Sequence, residues 1–261
     1  MNILDEIIAE KRKEIALSKV QKSISDLEKE KGFSRQTFSL KNSLKHSSSG
    51  IISEFKRKSP SKGWIHQNAS VVEVTKGYSN NGASGVSILT DYSFFGGTKE
   101  DLMVARFGVS VPILRKDFIV DEYQLFEARA MGADVILLIA AVLTSQQVKQ
   151  LAIKAHDLSL EVLLEVHNEQ ELAYVCENID IVGVNNRNLK NFVVDMQMSF
   201  LLADKISTDF VKISESGISN PQVVKDLQAV GYQGFLMGEN FMKEENPAKA
   251  LQQFISLVEN K

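Results

Sequence analysis

Short apolar runs alternate with longer stretches of helical periodicity, and the alternation recurs eight times from Ile51 onward. The runs predict strands at 51–56, 85–89, 112–116, 135–139, 162–166, 181–185, 211–215 and 234–237. Helical patterns follow them, among them 71–79, 122–131, 146–158, 169–176 and 221–230. Asn220 before Pro221 fits a helix cap with proline in the first turn, and Gly132 and Gly231 stand where helices should stop. Eight βα units in 261 residues favour an α/β fold of the (β/α)8 TIM-barrel type over an open doubly wound sheet.

Residues 1–48 precede the first strand and pattern differently. Ile3, Ile7 and Ile8 with the segment 11–15 suggest an amphipathic helix, and 23–31 a second, charged one. Ser47-Ser48-Ser49-Gly50 marks the boundary. The expected organisation is an N-terminal helical extension over 1–48, packed on one end of a barrel at 49–261, in a single domain. A part for the extension in closing the active site is the sharper alternative.

Composition narrows the partner. Hydrophobic residues make up 44% and charged ones 24%, and 30 Lys and Arg against 33 Asp and Glu leave a net charge of -3. No basic excess points to nucleic acid, so a small molecule is the expected partner. Met1 and Asn2 are followed by Asp5 and Glu6 rather than by a basic segment and an apolar run, and the longest apolar run, 135–143, is too short for a bilayer. Cys176, the single cysteine, has no internal disulfide partner and no metal-ligand spacing. A cytoplasmic protein without a membrane association is the expectation.

Chemistry concentrates where the strands end. Glu54 and Lys56 stand two residues apart and so share one strand face, with Phe55 on the other. Lys116 ends the third strand, Glu165 the fifth, Asn185 the sixth and Glu215 the seventh. Reactive groups of an α/β barrel come from this end. Two lysines and three glutamates converging there would hold one another ionised, while desolvation could lower a lysine pKa into a range useful for acid chemistry. Any one of these charges alone is as well explained by a strand end emerging into solvent.

Two glycine-containing loops add a second ligand type. Glu215-Ser216-Gly217 follows strand seven and Met237-Gly238-Glu239 strand eight, the places where this fold binds phosphate through backbone N–H groups. The Glu239 N–H is expected to serve while its carboxylate points away. Phe94, Phe95, Phe118 and Phe192 fall in or near loops at the same end and could form a slot for an aromatic ring. His66, His156 and His167 lack metal spacing and read as surface or helix residues. With no Gly-x-Gly-x-x-Gly, Walker or nucleophile-elbow motif, neither a metal nor a nucleotide or redox cofactor is implied.

The segments Glu54-Phe55-Lys56-Arg57-Lys58-Ser59-Pro60-Ser61, Leu114-Arg115-Lys116-Asp117-Phe118-Ile119, Leu164-Glu165-Val166-His167, Gly183-Val184-Asn185-Asn186-Arg187 and Ser214-Glu215-Ser216-Gly217-Ile218 resemble the signature segments of the indole-3-glycerol-phosphate synthases, collinearly from about residue 3 to the last helix. The resemblance implies a cofactor-free lyase of tryptophan biosynthesis. It would convert 1-(2-carboxyphenylamino)-1-deoxyribulose 5-phosphate to indole-3-glycerol phosphate with loss of carbon dioxide and water, with other tryptophan-pathway enzymes as possible partners. Carried over to this chain, Lys116 becomes the general acid of ring closure and Glu165 its partner for the proton and later acid steps. Lys56, paired with Glu54, becomes a substrate contact and a candidate acid for dehydration. Glu54, Asn185 and Glu215 position the amine and hydroxyls, Arg187 suits the carboxylate, and Phe95, Phe118 and Phe192 flank the aromatic ring. Ser59, Ser216, Gly217, Gly238 and Glu239 supply the phosphate site. Trp64 departs from the smaller aliphatic residue more frequent in the family. Two alternatives stay open: an enzyme resembling phosphoribosylanthranilate isomerase, whose chemistry would need a cysteine at a strand end, and a noncatalytic barrel binding a sugar phosphate.

Overall fold

The computed structural model describes residues 3–189 and 192–260, so Met1 and Asn2 of the chain start lie outside it. Eight parallel strands close into a barrel: β1 (Ile51–Phe55), β2 (Gly85–Leu89), β3 (Ile113–Lys116), β4 (Val135–Ile139), β5 (Glu161–Val166), β6 (Ile181–Asn185), β7 (Val211–Glu215) and β8 (Gly234–Met237), with β8 pairing back onto β1. Alternation sorts each strand into two faces. Ile52, Leu114, Leu137, Leu163, Ile181, Ile213 and Leu236 fill the interior, while Ile51, Val86, Ile136, Leu164, Val182 and Phe235 pack outward against the helices.

Sequence punctuation sets the helices. Ser70, Thr98, Thr144, Asn220 and Asn246 each accept a backbone N–H of the first turn, and Thr98 and Thr144 complete reciprocal capping boxes with Asp101 and Gln147. Gly132 and Gly231 end their helices at φ 92°, the left-handed backbone that favours glycine.

Several expected elements shift by a residue at an end, strand one for example ending at Phe55 rather than at Lys56, and three differences have a visible cause. Strand three starts at Ile113 because Pro112 has no N–H to give, although its carbonyl accepts from Val86 at 2.9 Å. The segment 23–31 is helical only over Ile24–Leu27; the chain then turns at Gly32, where a Cβ would lie 2.1 Å from the Ala130 carbonyl oxygen. The segment 169–176 is a 3-10 helix over Gln170–Tyr174, with Cys176 beyond it. There Asn168 accepts the Glu171 N–H at 3.0 Å, and the Glu171 side chain folds back to accept the His167 N–H at 2.8 Å. Among the described residues, no helix is long and apolar enough to cross a membrane.

The extension serves both ends of the barrel. Leu40 and Leu44, on the short helix Leu40–His46, join the interior cluster and plug the end where the strands begin. At the opposite end the helix Ile3–Gln21 is fastened by Lys11, which is 1% exposed. Its Nζ lies 2.9 Å from Asp117, 3.1 Å from Asp91 and 2.6 Å from Glu14. Burial opposes the Lys11 charge, but Asp117 and Asp91 outweigh it and raise the pKa above the usual lysine value.

Among the described residues, removing Lys11 leaves Asp91 buried without its cation and Asp117 with the Arg115 cation alone. Lys11→Met is expected to lower the unfolding free energy by about 3–5 kcal/mol, measured by urea titration. Adding Asp91→Asn should return part of that loss, and a Lys11→Met protein of unchanged stability would show that the network contributes nothing.

Candidate active site

Because strand parity carries over into the first residue of the following loop, Glu54 and Lys56, Lys116, Glu165, Asn185 and Glu215 all point into one cavity of about 690 Å³ at the end where the strands finish. Lys116 is held inward from both flanks. Its neighbours Arg115 and Asp117 face outward and bond each other at 2.9 Å, and Arg115 also bonds the Gln124 carbonyl at 2.7 Å. Lys116 Nζ donates to Glu165 Oε2 at 2.9 Å and to Glu215 Oε2 at 2.6 Å, while Lys56 Nζ donates to Glu54 Oε1 at 2.5 Å.

The expected lowering of the lysine pKa does not occur. Burial of Lys116 disfavours its charge, yet Glu165, Glu215 and Glu54 together overcome that penalty and raise its pKa above the ordinary value. The two carboxyls that share this ammonium are driven apart. Burial alone would raise Glu165, but Lys116 and His167 reverse the effect and lower it. Glu215 is raised by burial, against Lys116, with Glu165 adding to the rise. Its Oε1 is buried and has no hydrogen-bond partner among the described residues. Such a split between neighbouring carboxyls is how one site holds both an anion and a proton reservoir.

Two glycines clear space for carboxylates. A Cβ on Gly183 would sit 2.5 Å from Glu215 Oε1, and one on Gly238 2.6 Å from Glu54 Oε1. Gly238, foreseen as a phosphate ligand, thus has a second reason to lack a side chain. Gly217, at φ 79°, passes so close to Val194 that a Cβ would come within 2.4 Å of it. Ser216, Gly217, Gly238 and Glu239 line one side of the cavity together with Lys62 and Lys243. The Glu239 carboxylate lies 3.7 Å from the Lys62 ammonium. The Ser59 hydroxyl, lining the same cavity, is buried and has no partner among the described residues.

Phe95 and Phe118 face each other at 6.0 Å between ring centroids and, with Phe192, form an apolar wall; Phe94 is not part of it. Arg187 borders this wall, its N–H donating to Asn185 Oδ1 at 3.0 Å and its Nη1 lying 3.4 Å from Ser61 Oγ. Behind it Asn186 ties the loops after β6 and β7 together, donating to Ser214, Glu215 and Ser216 and accepting from Ser199. Trp64 sits in a hairpin of Lys58–Ser59 with Gly63–Trp64, its ring against Gly96 and under Lys58 Nζ at 5.7 Å from the ring centroid.

Sequence reasoning overlooked several contributors. Ile3, Leu4 and Ile7 of the extension line the cavity, as do Leu89, Leu137 and Ile139. Ser87, in register with Glu54, keeps a buried hydroxyl without a hydrogen-bond partner among the described residues. His167 is neither a surface nor a helix residue: its side chain is 12% exposed, 3.3 Å from both Glu165 and Glu171. Strand parity held the signal, since His167 follows Glu165 by two positions. Cys176 packs against the outer layer and does not line the cavity, which removes the cysteine that an isomerase-like reaction would need. Among the described residues no group of acidic, histidine or cysteine side chains could hold a metal.

Solved structures of similar fold include KGPDC from Streptococcus mutans (TM-score 0.62, 14% identity, 80% of this chain and 96% of that one) and thiamine phosphate pyrophosphorylase from Pyrococcus furiosus (TM-score 0.60, 14% identity, 85% and 98%), likenesses of fold alone. Residues 4–254 match the family model of indole-3-glycerol phosphate synthase. Proteins of that name from Bacteroides thetaiotaomicron and a Polaromonas species are 51% and 41% identical, over 99% and 98% of this chain and 99% of each relative. On this match over nearly its whole length, the chain belongs to the indole-3-glycerol phosphate synthase family.

Proposed function

We propose that the charged side chains at the strand ends carry out the family's reaction in tryptophan biosynthesis, the ring closure, decarboxylation and dehydration of 1-(2-carboxyphenylamino)-1-deoxyribulose 5-phosphate. The observation that carries the assignment of roles is one ammonium shared by two carboxyls of opposite tendency, Lys116 between Glu165 and Glu215.

The substrate's ring lies along Phe95, Phe118 and Phe192, its carboxylate toward Arg187, and its phosphate by Ser59, Ser216, Gly217, Gly238 and Glu239. As the aryl carbon attacks the ketone, the carbon–oxygen electron pair collects on oxygen and takes a proton from Lys116. A growing alkoxide is more basic than any amine, so a lysine of raised pKa still donates. The carbon–carboxylate bond then breaks, carbon dioxide leaves, and its bonding pair restores the aromatic ring. In dehydration Lys56 protonates the departing hydroxyl, and Glu165 removes the proton from the adjacent carbon. Glu54, Asn185 and Glu215 hold the amine and hydroxyl groups. Residues 1–48 act in this reading as a cover of the barrel rather than a separate unit, and a cytoplasmic setting suits the reaction.

Mixing the protein with the carboxyphenylamino deoxyribulose phosphate and following indole fluorescence tests the activity; tight binding without turnover would instead support a noncatalytic sugar-phosphate barrel. Lys116→Ala should lower kcat roughly 10²- to 10⁴-fold, the usual cost of losing a general acid. A near-normal rate would transfer the role to Lys56. Gly183→Ala should displace Glu215 and lower kcat more than it raises KM, and an unchanged kcat in a folded variant would show that the Glu215 position is not critical.

A further inference from the structure

Glu165 has two oxygens and two cationic neighbours, and the reaction above uses only one of those neighbours. Oε2 faces Lys116 at 2.9 Å; Oε1 faces His167 Nε2 at 3.3 Å. The other ring nitrogen, Nδ1, lies 3.3 Å from Glu171 Oε2, and that same oxygen accepts the His167 N–H at 2.8 Å. Asn168 fixes Glu171 in turn, donating to its Oε1 at 2.8 Å. From β5 inward the order is therefore Glu171, His167, Glu165, Lys116, Glu215.

We infer that His167 is a positioning residue of the proposed reaction, an imidazolium that bridges Glu165 and Glu171 and keeps the Glu165 carboxylate anionic with Oε2 turned to Lys116. The inference rests on the roles proposed above.

The geometry argues for the charge by itself. Ionised carboxylates only accept, and a neutral imidazole has one nitrogen that donates and one that only accepts. Either neutral tautomer would leave a lone pair 3.3 Å from a carboxylate oxygen on one side of the ring, whereas the imidazolium presents positive charge to both. Nε2 is buried with no hydrogen-bond partner among the described residues, so charge rather than a directional bond couples it to Glu165. Burial opposes the imidazolium, but Glu165 and Glu171 raise the His167 pKa to about 10. Lys116 and Glu215 reach it only through Glu165, and Glu169 of the same turn is taken up by Lys205 at the surface.

The sign of the effect follows. A cation beside Glu165 lowers its pKa and extends the pH range over which it can take a proton; removing that cation raises the pKa and costs activity at acid pH. In His167→Gln the acidic limb of the kcat profile should move up by about 1–3 pH units, with KM and the alkaline limb little changed. At a pH on that limb the variant should lose at least roughly tenfold in kcat, the effect of a one-unit shift. His167→Lys restores the charge and should bring the limb back, which a role in packing alone would not do. A folded His167→Gln protein with an unmoved limb would overturn the inference. Should the variant fail to fold, the ring nitrogen shifts of His167 in the unaltered protein decide by NMR at pH 8: imidazolium is expected, and a neutral ring would overturn it. The NMR readout needs no turnover, so it separates failure of this inference from failure of the proposed reaction.

Discussion

An ammonium group inside an apolar barrel must be paired, and the pairing of Lys116 is the constraint on which the rest of the site depends. Its partners come from β5 and β7, so three strands must present their inward positions at matching heights. On β3 the alternation that turns Lys116 inward turns Arg115 and Asp117 outward, where Lys11 of the N-terminal helix meets Asp117. One strand of four residues thereby joins the reacting interior to the extension. The wall that Ile3, Leu4 and Ile7 contribute to the cavity is held by the same buried charges.

How much of this could be read from the chain depended on the kind of periodicity involved. A period of two is unambiguous over a short strand, so the six strand-end positions from Glu54 and Lys56 to Glu215 were legible, and the closed barrel with them. His167 was misread because the strand assignment stopped at Val166, although its parity matched Glu165. Local pattern also overextended the segment 169–176, where side chains of Asn168 and Glu171 win the backbone groups that a longer helix would have used. Leu40 and Leu44, by contrast, are ordinary apolar residues whose role as a plug depends on contacts with distant strands.

The sign of the Lys116 shift was beyond any one-dimensional reading. Burial and charge act on it in opposite directions, and only the separations from Glu165, Glu215 and Glu54 decide which wins. Gly183 and Gly238 belong to the same class. Their spacing in sequence shows two glycines near strand ends, whereas the carboxylates they make room for come from other strands.

Unpartnered buried polar atoms usually cost free energy, so where they cluster they mark positions that something else is meant to fill. Ser59 Oγ, Ser87 Oγ and Glu215 Oε1 are three such atoms around or beneath the same cavity. The charges are arranged to match. Glu54, Glu165 and Glu215 meet Lys56 and Lys116 in the interior, while Lys62, Lys243 and Arg187 line the cavity from its loops. In the proposed reaction, cations at the mouth would draw a phosphate and a carboxylate to the rim and leave the ketone to the lysines.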